Sequence, residues 1–398
     1  MITILDKHNC CGCEACVQVC PKQCISFTAD NEGFSYPKVD EAFCINCGLC
    51  EKVCPVLHPY KERTPLKTLA AINENDEVRL ASSSGGIFTL LAEQVIGDGG
   101  AVFGARFDDQ WQVVFDFTET TEGIKAFQGS KYLQAQVGDS FARCKKFLDD
   151  GRKVLFSGTQ CQIAGLLHFL RKPYDNLLTV DFICHGVPSP LVWQRYLNEV
   201  VSIGSRAISD IQFRNKERGW KLFSFKLEYD DDCKSVVMST PFNDDLYMRA
   251  FLANLILRPS CHACPAKSGK SHSDITIADF WGIELVNPDM DDDRGTSLVL
   301  VNSEKGNYAL PLSLMSFTEE EFDVAIRKNT AWCMPAIQHH RRAEFFSRLS
   351  TDKRISSQIT FALRPSLRQQ ISIIKHPRTL AIKLIKSLTG GGAKINIG

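Results

Sequence analysis

The pattern of hydrophobic and polar positions changes character near residue 60. Before it, apolar runs are short: Ile25 to Phe27 and Phe34 to Val39 read as two brief strands around the turn Asp30-Asn31-Glu32-Gly33. After about residue 66, strands and helices alternate. Ile87, Leu90, Leu91 and Val95 recur at helical spacing and predict a helix ending at Gly97. Ala101 to Phe107, Val113 to Phe117 and Lys153 to Phe156 read as strands, the last leading through Ser157-Gly158-Thr159 into a helix over Ile163 to Leu170. Leu177 to Ile183 is a buried strand ending at Cys184-His185-Gly186, and a helix over Leu191 to Val201 follows it. Ile208 to Phe213, Phe223 to Tyr229, Ser273 to Ala278 and Ser297 to Val301 complete the strand-like runs. Such alternation predicts an α/β body with a mixed sheet, whose ligand-binding loops lie beyond the carboxyl ends of the strands. From Lys353 to Gly398 there are nine Lys and Arg and no acid. Leu380, Ile382, Leu384, Ile385 and Leu388 interleave there with Lys383 and Lys386, which predicts a helical basic C-terminal tail interrupted at His376-Pro377.

Composition narrows the setting. The 398 residues are 44% hydrophobic and 23% charged, the balance of a globular chain with a sizeable core. Lys+Arg and Asp+Glu are equal at 46 each, so no overall field favours nucleic acid. No basic and then apolar leader opens the chain, and no run of 18 apolar residues occurs. The expected setting is therefore cytoplasmic, and the basic tail is a candidate for peripheral contact with the inner face of a membrane. The 17 cysteines then point to metal or redox chemistry more than to disulfides.

Ten of those cysteines precede residue 55. Cys10, Cys13, Cys16 and Cys20-Pro21 follow C-x2-C-x2-C-x3-C-P, and Cys44, Cys47, Cys50 and Cys54-Pro55 repeat it. A cubane needs four thiolates at tetrahedral corners. A loop with cysteines three apart supplies three of them, and the fourth cysteine of each run reaches the other cluster. The expected ligand sets are Cys10, Cys13, Cys16 and Cys54 for one [4Fe–4S] cluster, and Cys44, Cys47, Cys50 and Cys20 for the other. This makes the N-terminus an α+β ferredoxin-like module. Cys11 and Cys24 are surplus and read as packing residues. Zinc is the rival metal for C-x2-C pairs. A second set, Cys161, Cys184, Cys261 and Cys264, sits in loops, and on spacing alone it suits a third cluster, a structural zinc or a redox-active pair at Cys261 and Cys264. Cys144, Cys233 and Cys333 read as inert.

Several motifs occur in one order: Ser82-Ser83-Ser84-Gly85-Gly86, Gly129-Ser130-Lys131-Tyr132, Gly158-Thr159-Gln160-Cys161-Gln162, Cys184-His185-Gly186-Val187-Pro188-Ser189-Pro190, Cys261 with Cys264, and Ala278-Asp279-Phe280-Trp281-Gly282. Together they resemble the family of beta subunits of the coenzyme F420-reducing hydrogenases and dehydrogenases, over roughly residues 1 to 340. The resemblance implies FAD and favours a third [4Fe–4S] cluster at the second cysteine set. Gln160 stands where that family usually has Pro, which puts the rigidity of this loop in question. The expected division is a two-cluster ferredoxin domain over residues 1–60, an FAD-binding region over 66–150, the family's C-terminal-like domain over 151–345 and the basic tail over 346–398.

For the implied FAD, Ser83, Ser84, Gly85 and Gly86 before a helix would meet the pyrophosphate at a positive helix end, and the bland alternative is a helix cap. Ser130 would add a hydroxyl and Lys131 a neutralising charge. Asp279 would hydrogen-bond the flavin and Trp281 pack beside it, the alternative being a turn Asp and a core Trp. His185 is either a proton relay or a structural residue beside Cys184. The function expected is an iron–sulfur flavoprotein oxidoreductase that passes electrons between ferredoxin or another small electron carrier and a small-molecule or deazaflavin substrate. The alternative is an electron-transfer subunit serving a separate catalytic partner.

Overall fold

A computed structural model describes residues 1–201, 207–231, 234–349 and 353–365. Cys233 and most of the expected basic tail, including Arg368 to Leu388, lie outside the described residues. Among the described residues no helix is long and apolar enough to cross a membrane.

In the N-terminal module, β1 (Ile25–Ala29) and β2 (Ser35–Val39) pair antiparallel, with Ile25 opposite Val39 and Ala29 opposite Ser35. The body is organised on one eight-stranded sheet. It begins with β3 (Lys67–Asn73), β4 (Ala101–Phe107), β5 (Val113–Thr118), β6 (Val154–Thr159) and β7 (Leu177–Phe182). The chain then leaves for a three-stranded antiparallel sheet of β8 (Ile208–Asn215), β9 (Ser224–Asp231) and β10 (Lys234–Pro241), and returns as β11 (Ile275–Asp279), β12 (Ser297–Val301) and β13 (Met315–Glu319). The order across the large sheet is β13-β3-β12-β11-β7-β6-β4-β5.

The four neighbours β11, β7, β6 and β4 run parallel, and antiparallel strands flank them on both sides. Val154, Leu155, Phe156, Leu177 and Val180 are buried, as parallel strands covered on both faces require. The consequence for function is geometric. Because β6, β7 and β11 share a direction, their carboxyl ends share an edge, and there the chain presents Gln160-Cys161, Cys184-His185 and Asp279-Phe280-Trp281.

The boundary expected at residue 150 falls inside this sheet: β4 pairs with β6, and β3 lies between β12 and β13. One aromatic core spans it, with Phe156 stacked on both Phe103 and Phe115 at 5.4 Å. The helix expected from Ile163 starts at Gln160, because Thr159 and Gln162 form a capping box there, the Gln162 Oε1 accepting from Thr159 N–H and Oγ1–H at 2.9 Å each. That box fixes the loop without the family's proline. Strand β13 carried no sequence signal because, Met315 apart, its side chains are mostly outside the core.

The ferredoxin-like module is clamped to the body. Arg258 is 0% exposed and donates to Cys10 O at 2.8 Å, Gln134 Oε1 at 3.0 Å and Ser35 O at 2.9 Å. Its Nη2 also lies 3.5 Å from Cys10 Sγ. Glu14 accepts from Val137 N and Gly138 N, and Gln18 from Phe141 N and Ala142 N at the start of helix Ser140–Asp149. Glu32 pairs with the buried Arg342. Gly33 lets the hairpin tip approach helix Pro190–Val200 so closely that an added Cβ would stand 2.4 Å from Leu191 Cβ.

Arg258→Ala removes the donor from two buried acceptors and one partly buried one and is expected to cost about 3 kcal/mol, with Arg258→Lys recovering only part of it. Urea unfolding midpoints followed by tryptophan fluorescence measure this, and equal midpoints for wild type and Arg258→Ala would contradict the clamp.

Candidate iron–sulfur and flavin site

The two cysteine loops of the module repeat each other's backbone. Gly12 (φ 74°) and Glu14 (φ 61°) in the first match Asn46 (φ 53°) and Gly48 (φ 72°) in the second, so each loop turns through two left-handed residues between its cysteines. Glu14, the unusual residue for that conformation, is held by its carboxylate contacts to Val137 and Gly138. The fold groups Cys10, Cys13 and Cys16 with Cys54, all buried, and burial together with the neighbouring sulfurs raises the Cys13, Cys16 and Cys54 thiols. It sets Cys20, Cys44, Cys47 and Cys50 around a small pocket at the surface, where Cys47 is exposed. Cys24 lines that pocket too, its Sγ 3.5 Å from Cys20 Sγ. The groups abut, since Cys50 acts on Cys16 and Cys54.

The second cysteine set also converges. Cys161 lies in the first turn of helix Gln160–Leu170, Cys184 follows β7, and Cys261 and Cys264 come from the turn Pro259–Ala263 and the residue after it. All four line one pocket, together with Cys11, Gln160 and Lys267. Val187 N–H donates to Cys261 Sγ at 3.4 Å, and Lys267 Nζ donates to Cys184 O. Burial pushes the Cys184, Cys261 and Cys264 thiols up, which a metal would reverse by taking them as thiolates. Gln160 is 1% exposed, and neither its Oε1 nor its Nε2 has a protein partner. A buried amide left so costs about 1–3 kcal/mol, so a sulfur-rich group in this pocket fits the residues that line it. Among the described residues no three His, Cys, Asp or Glu close on a single metal ion.

Next to this pocket lies a cavity of about 640 Å³. Thr159, Gln162, Cys184, His185, Gly186 and Val187 line both, so the two share a wall. Ser83, Ser84, Gly86, Ser130, Lys131, His185, Asp279 and Trp281 all line the cavity. Ser83 and Ser130 are bonded directly, Oγ to Oγ at 2.8 Å and Ser130 N to Ser83 Oγ at 2.7 Å. Gly86 caps helix Ile87–Gly97, whose first turn, Ile87 to Thr89, also lines the cavity. Gly85 does not line the cavity. It packs on the sheet, donating to Ser297 Oγ, and an added Cβ would meet Ala71 O at 2.4 Å. Ser84 Oγ donates to Thr296 O.

The residue that sequence reasoning missed here is Arg214. Its guanidinium holds Asp279 through two bonds of 2.8 and 3.0 Å, reaches Tyr132 Oη and Ser83 O at 3.3 Å, and lies over the rings of Phe223 and Trp281. Asp279 also accepts from Trp220 Nε1 at 2.7 Å, and Trp281 stacks on Trp220 at 4.8 Å with 3° between the planes. Asp279 thus acts first as the anchor of a buried cation. No periodicity or motif singles out Arg214, because its partner is 65 residues away. Lys131 donates to Gln128 O and Gly129 O, and burial holds its amine down to about 7. His185 meets Phe251 edge-on at 5.0 Å, and burial lowers its pKa.

For flavin-free protein, Lys131 generates a pH dependence. Its amine titrates near 7 when folded and near the ordinary 10.5 when unfolded, so the unfolded state binds more protons in between. Stability contributed by this group rises with pH across that window. Lys131→Met removes the slope. Under reducing conditions the wild type is expected to gain on the variant between pH 7 and 9, by less than the limiting roughly 1.4 kcal/mol per unit because the side chain is partly accessible. Parallel stability curves in a pH series of urea titrations would contradict it.

Residues 151–314 match the family described as the C terminus of the beta subunit of coenzyme F420 hydrogenase/dehydrogenase, and residues 9–57 match the 4Fe-4S dicluster domain. The F component of the F(420)H(2) dehydrogenase of Methanosarcina mazei is 20% identical over 230 residues, covering 54% of this chain and 65% of that protein, just under two thirds of its length. Ferredoxin 7Fe of Hydrogenibacillus schlegelii is 46% identical over 48 residues, 12% of this chain and 55% of that ferredoxin. A chain of the F420-reducing [NiFe] hydrogenase complex from Methanosarcina barkeri superposes with a TM-score of 0.46 and 16% identity, covering 81% of this chain and 95% of that one.

Proposed function

We propose, from the match of residues 151–314 to the C terminus of the coenzyme F420 hydrogenase/dehydrogenase beta subunit and of residues 9–57 to the 4Fe–4S dicluster domain, that the chain is an iron–sulfur flavoprotein oxidoreductase. It would exchange electrons between a one-electron carrier such as ferredoxin and a two-electron substrate. The observation that carries this reading is the wall shared by the four-cysteine pocket and the large cavity, in which Cys184 and His185 face both.

The cysteines form a row. The surface set with exposed Cys47 abuts the buried set of Cys10, Cys13, Cys16 and Cys54, Cys11 beside that set lines the pocket of Cys161, Cys184, Cys261 and Cys264, and this pocket borders the cavity. Three [4Fe–4S] clusters held at these sets would connect the surface to the cavity. FAD bound in the cavity would supply the exchange between one-electron and two-electron chemistry. Gly86 and the helix end behind it, with Ser83 and Ser130, suit its pyrophosphate, and Lys131 suits the phosphate charge, which would raise that amine back toward its ordinary range. Arg214 and Trp281 present a cation and a flat face to the same space. His185, which lines both spaces, would hold or pass a proton at the wall nearest the cysteines.

A specific observation favours the second reading, an electron-transfer subunit. Phe43, Ile45 and Leu57 are 67%, 58% and 54% exposed around the surface cysteine loop, and Ile45 lines its pocket. Large exposed apolar side chains beside an electron entry point suit a protein partner. The cavity volume, inside the range of small-molecule sites, supports a cofactor held by the chain itself and is compatible with both readings.

Oxygen-free purification followed by iron, sulfide and flavin counts tests the proposal. About twelve irons and about one FAD are expected, and Cys161→Ser is expected to lose about four of the irons while keeping the rest. About eight irons with one zinc in the wild type would remove the third cluster. A preparation without flavin would remove the oxidoreductase reading, and reduction by NAD(P)H, reduced ferredoxin or reduced F420 then separates the carriers.

A further inference from the structure

We propose that Arg258, besides clamping the module to the body, raises the reduction potential of the cluster held by Cys10, Cys13, Cys16 and Cys54, through the hydrogen bond and the fixed positive charge that its guanidinium brings to the Cys10 sulfur. The proposal rests on reading those four cysteines as a [4Fe–4S] ligand set. Arg258 Nη2 donates to Cys10 Sγ at 3.5 Å, within the longer reach of hydrogen bonds to sulfur. The other bonds of this guanidinium go to Cys10 O, Gln134 Oε1 and Ser35 O. Among the described residues none of its hydrogen-bond acceptors is a carboxylate. A fully buried cation thus stands against a ligand sulfur with only neutral oxygens as its other partners.

The place of that charge is fixed from both sides. Arg258 N–H donates to Val187 O at 2.9 Å, and Arg258 O accepts from Cys261 N–H at 3.0 Å. Val187 N–H in turn donates to Cys261 Sγ at 3.4 Å. The backbone of Arg258 is therefore tied to a cysteine of the third set, while its side chain reaches a cysteine of the first. On the module side, Gly12 (φ 74°) leaves the space that the guanidinium fills, since an added Cβ would stand 3.1 Å from Arg258 Cζ. The rings of Tyr36 and Phe34 flank the cation, their centroids 4.3 and 5.6 Å from Cζ. A charge enclosed in this way is poorly screened by salt.

A [4Fe–4S] cluster with four thiolate ligands is anionic, and the electron it accepts adds negative charge. A cation and an N–H donor at a ligand sulfur stabilise the reduced form more than the oxidised form, and so raise the potential. Arginine keeps its charge in proteins, so the effect requires no proton to move. Hydrogen bonds from a charged donor are also roughly twice as strong as neutral ones. The other two sets differ. At the third set the Val187 N–H that bonds Cys261 Sγ is neutral, and Lys267 bonds the Cys184 carbonyl rather than a sulfur. The surface set opens to water at Cys47. An electron entering at the surface set is thereby drawn inward to the first set. Its arrival reduces that cluster by one electron and makes or breaks no covalent bond. Arg258 is by this argument a positioning and tuning residue.

The test uses the full chain, purified without oxygen with its iron, as wild type, Arg258→Gln, Gln134→Glu and Glu32→Gln. Arg258→Gln removes the charge. Gln134→Glu keeps an acceptor for Nη1 and offsets the charge in place, so the clamp survives. Glu32→Gln breaks the module's tie to Arg342 without touching a ligand or Arg258, and so controls for loosening. Metals are counted, and each cluster is titrated with dithionite while its EPR signal is followed. Arg258→Gln and Gln134→Glu are each expected to make one cluster about tenfold harder to reduce, about 59 mV lower for a one-electron couple. Glu32→Gln is expected to leave every midpoint in place. If Arg258→Gln loses iron, Gln134→Glu alone decides. Unchanged midpoints in Gln134→Glu would overturn the proposal, and so would an equal shift in Glu32→Gln. A wild type holding zinc instead of the ferredoxin clusters would remove the reading on which the proposal rests, a failure that the metal count shows before any variant is measured.

Discussion

The guanidinium of Arg258 sits fully buried at the junction of segments 248 residues apart in the chain, bonded to Cys10 O, Gln134 Oε1 and Ser35 O and close to Cys10 Sγ. A buried cation is tolerated only when dipoles or opposite charge replace its water. Here two backbone carbonyls and an amide oxygen do so, and a thiolate at Cys10 would complete the set. Because those partners come from the first cysteine loop, β2 and the segment before helix Ser140–Asp149, one side chain fixes the module relative to the sheet. The position of Cys11 at the pocket of Cys161, Cys184, Cys261 and Cys264, and with it the continuity of the cysteine row, depends on that fixed relation.

The same electrostatic rule recurs along the row. The chain as a whole is neutral, yet buried or half-buried cations stand beside the sites that would carry negative charge. Lys267 holds Cys184 O and Ala331 O next to the third pocket, and its charge lowers the Cys184 and Cys264 thiols against the effect of burial. Arg214 faces the cavity with Asp279 as its fixed counter-ion, and burial lowers the Lys131 amine at the same cavity. Charges placed on rigid elements would receive the proposed cofactors without a large rearrangement.

The sheet supplies the other half of the arrangement. Three parallel strands deliver the helix bearing Cys161, the loop of Cys184 and His185, and the Asp279–Trp281 turn to one edge. The small antiparallel sheet contributes Arg214 from β8 and so closes the cavity over that edge. Hence the cavity is not a property of either the 66–150 or the 151–345 region. Ser83, Ser130 and Lys131 come from one, and His185, Arg214 and Asp279 from the other.

By itself the sequence determined whatever is encoded at short range. The spacing of Cys10 to Cys20 and Cys44 to Cys54 prescribes two tight loops, because three residues of backbone bring two sulfurs to adjacent corners, and the left-handed residues Gly12, Glu14, Asn46 and Gly48 realise those turns. The helix ending at Gly97, the strand Ala101–Phe107 and the alternation of strands and helices were legible for the same reason. Tertiary structure alone decided which distant residues meet. It brought Cys161 to Cys184, Cys261 and Cys264, placed the surplus Cys11 at the same pocket, and assigned Gly85 to close packing against Ala71. It also made Arg214 and Arg258 the charges on which the site rests, although neither belongs to any motif. Their partners lie 65 and 248 residues away, and such contacts are set by which strands pair and which faces pack, not by any local spacing.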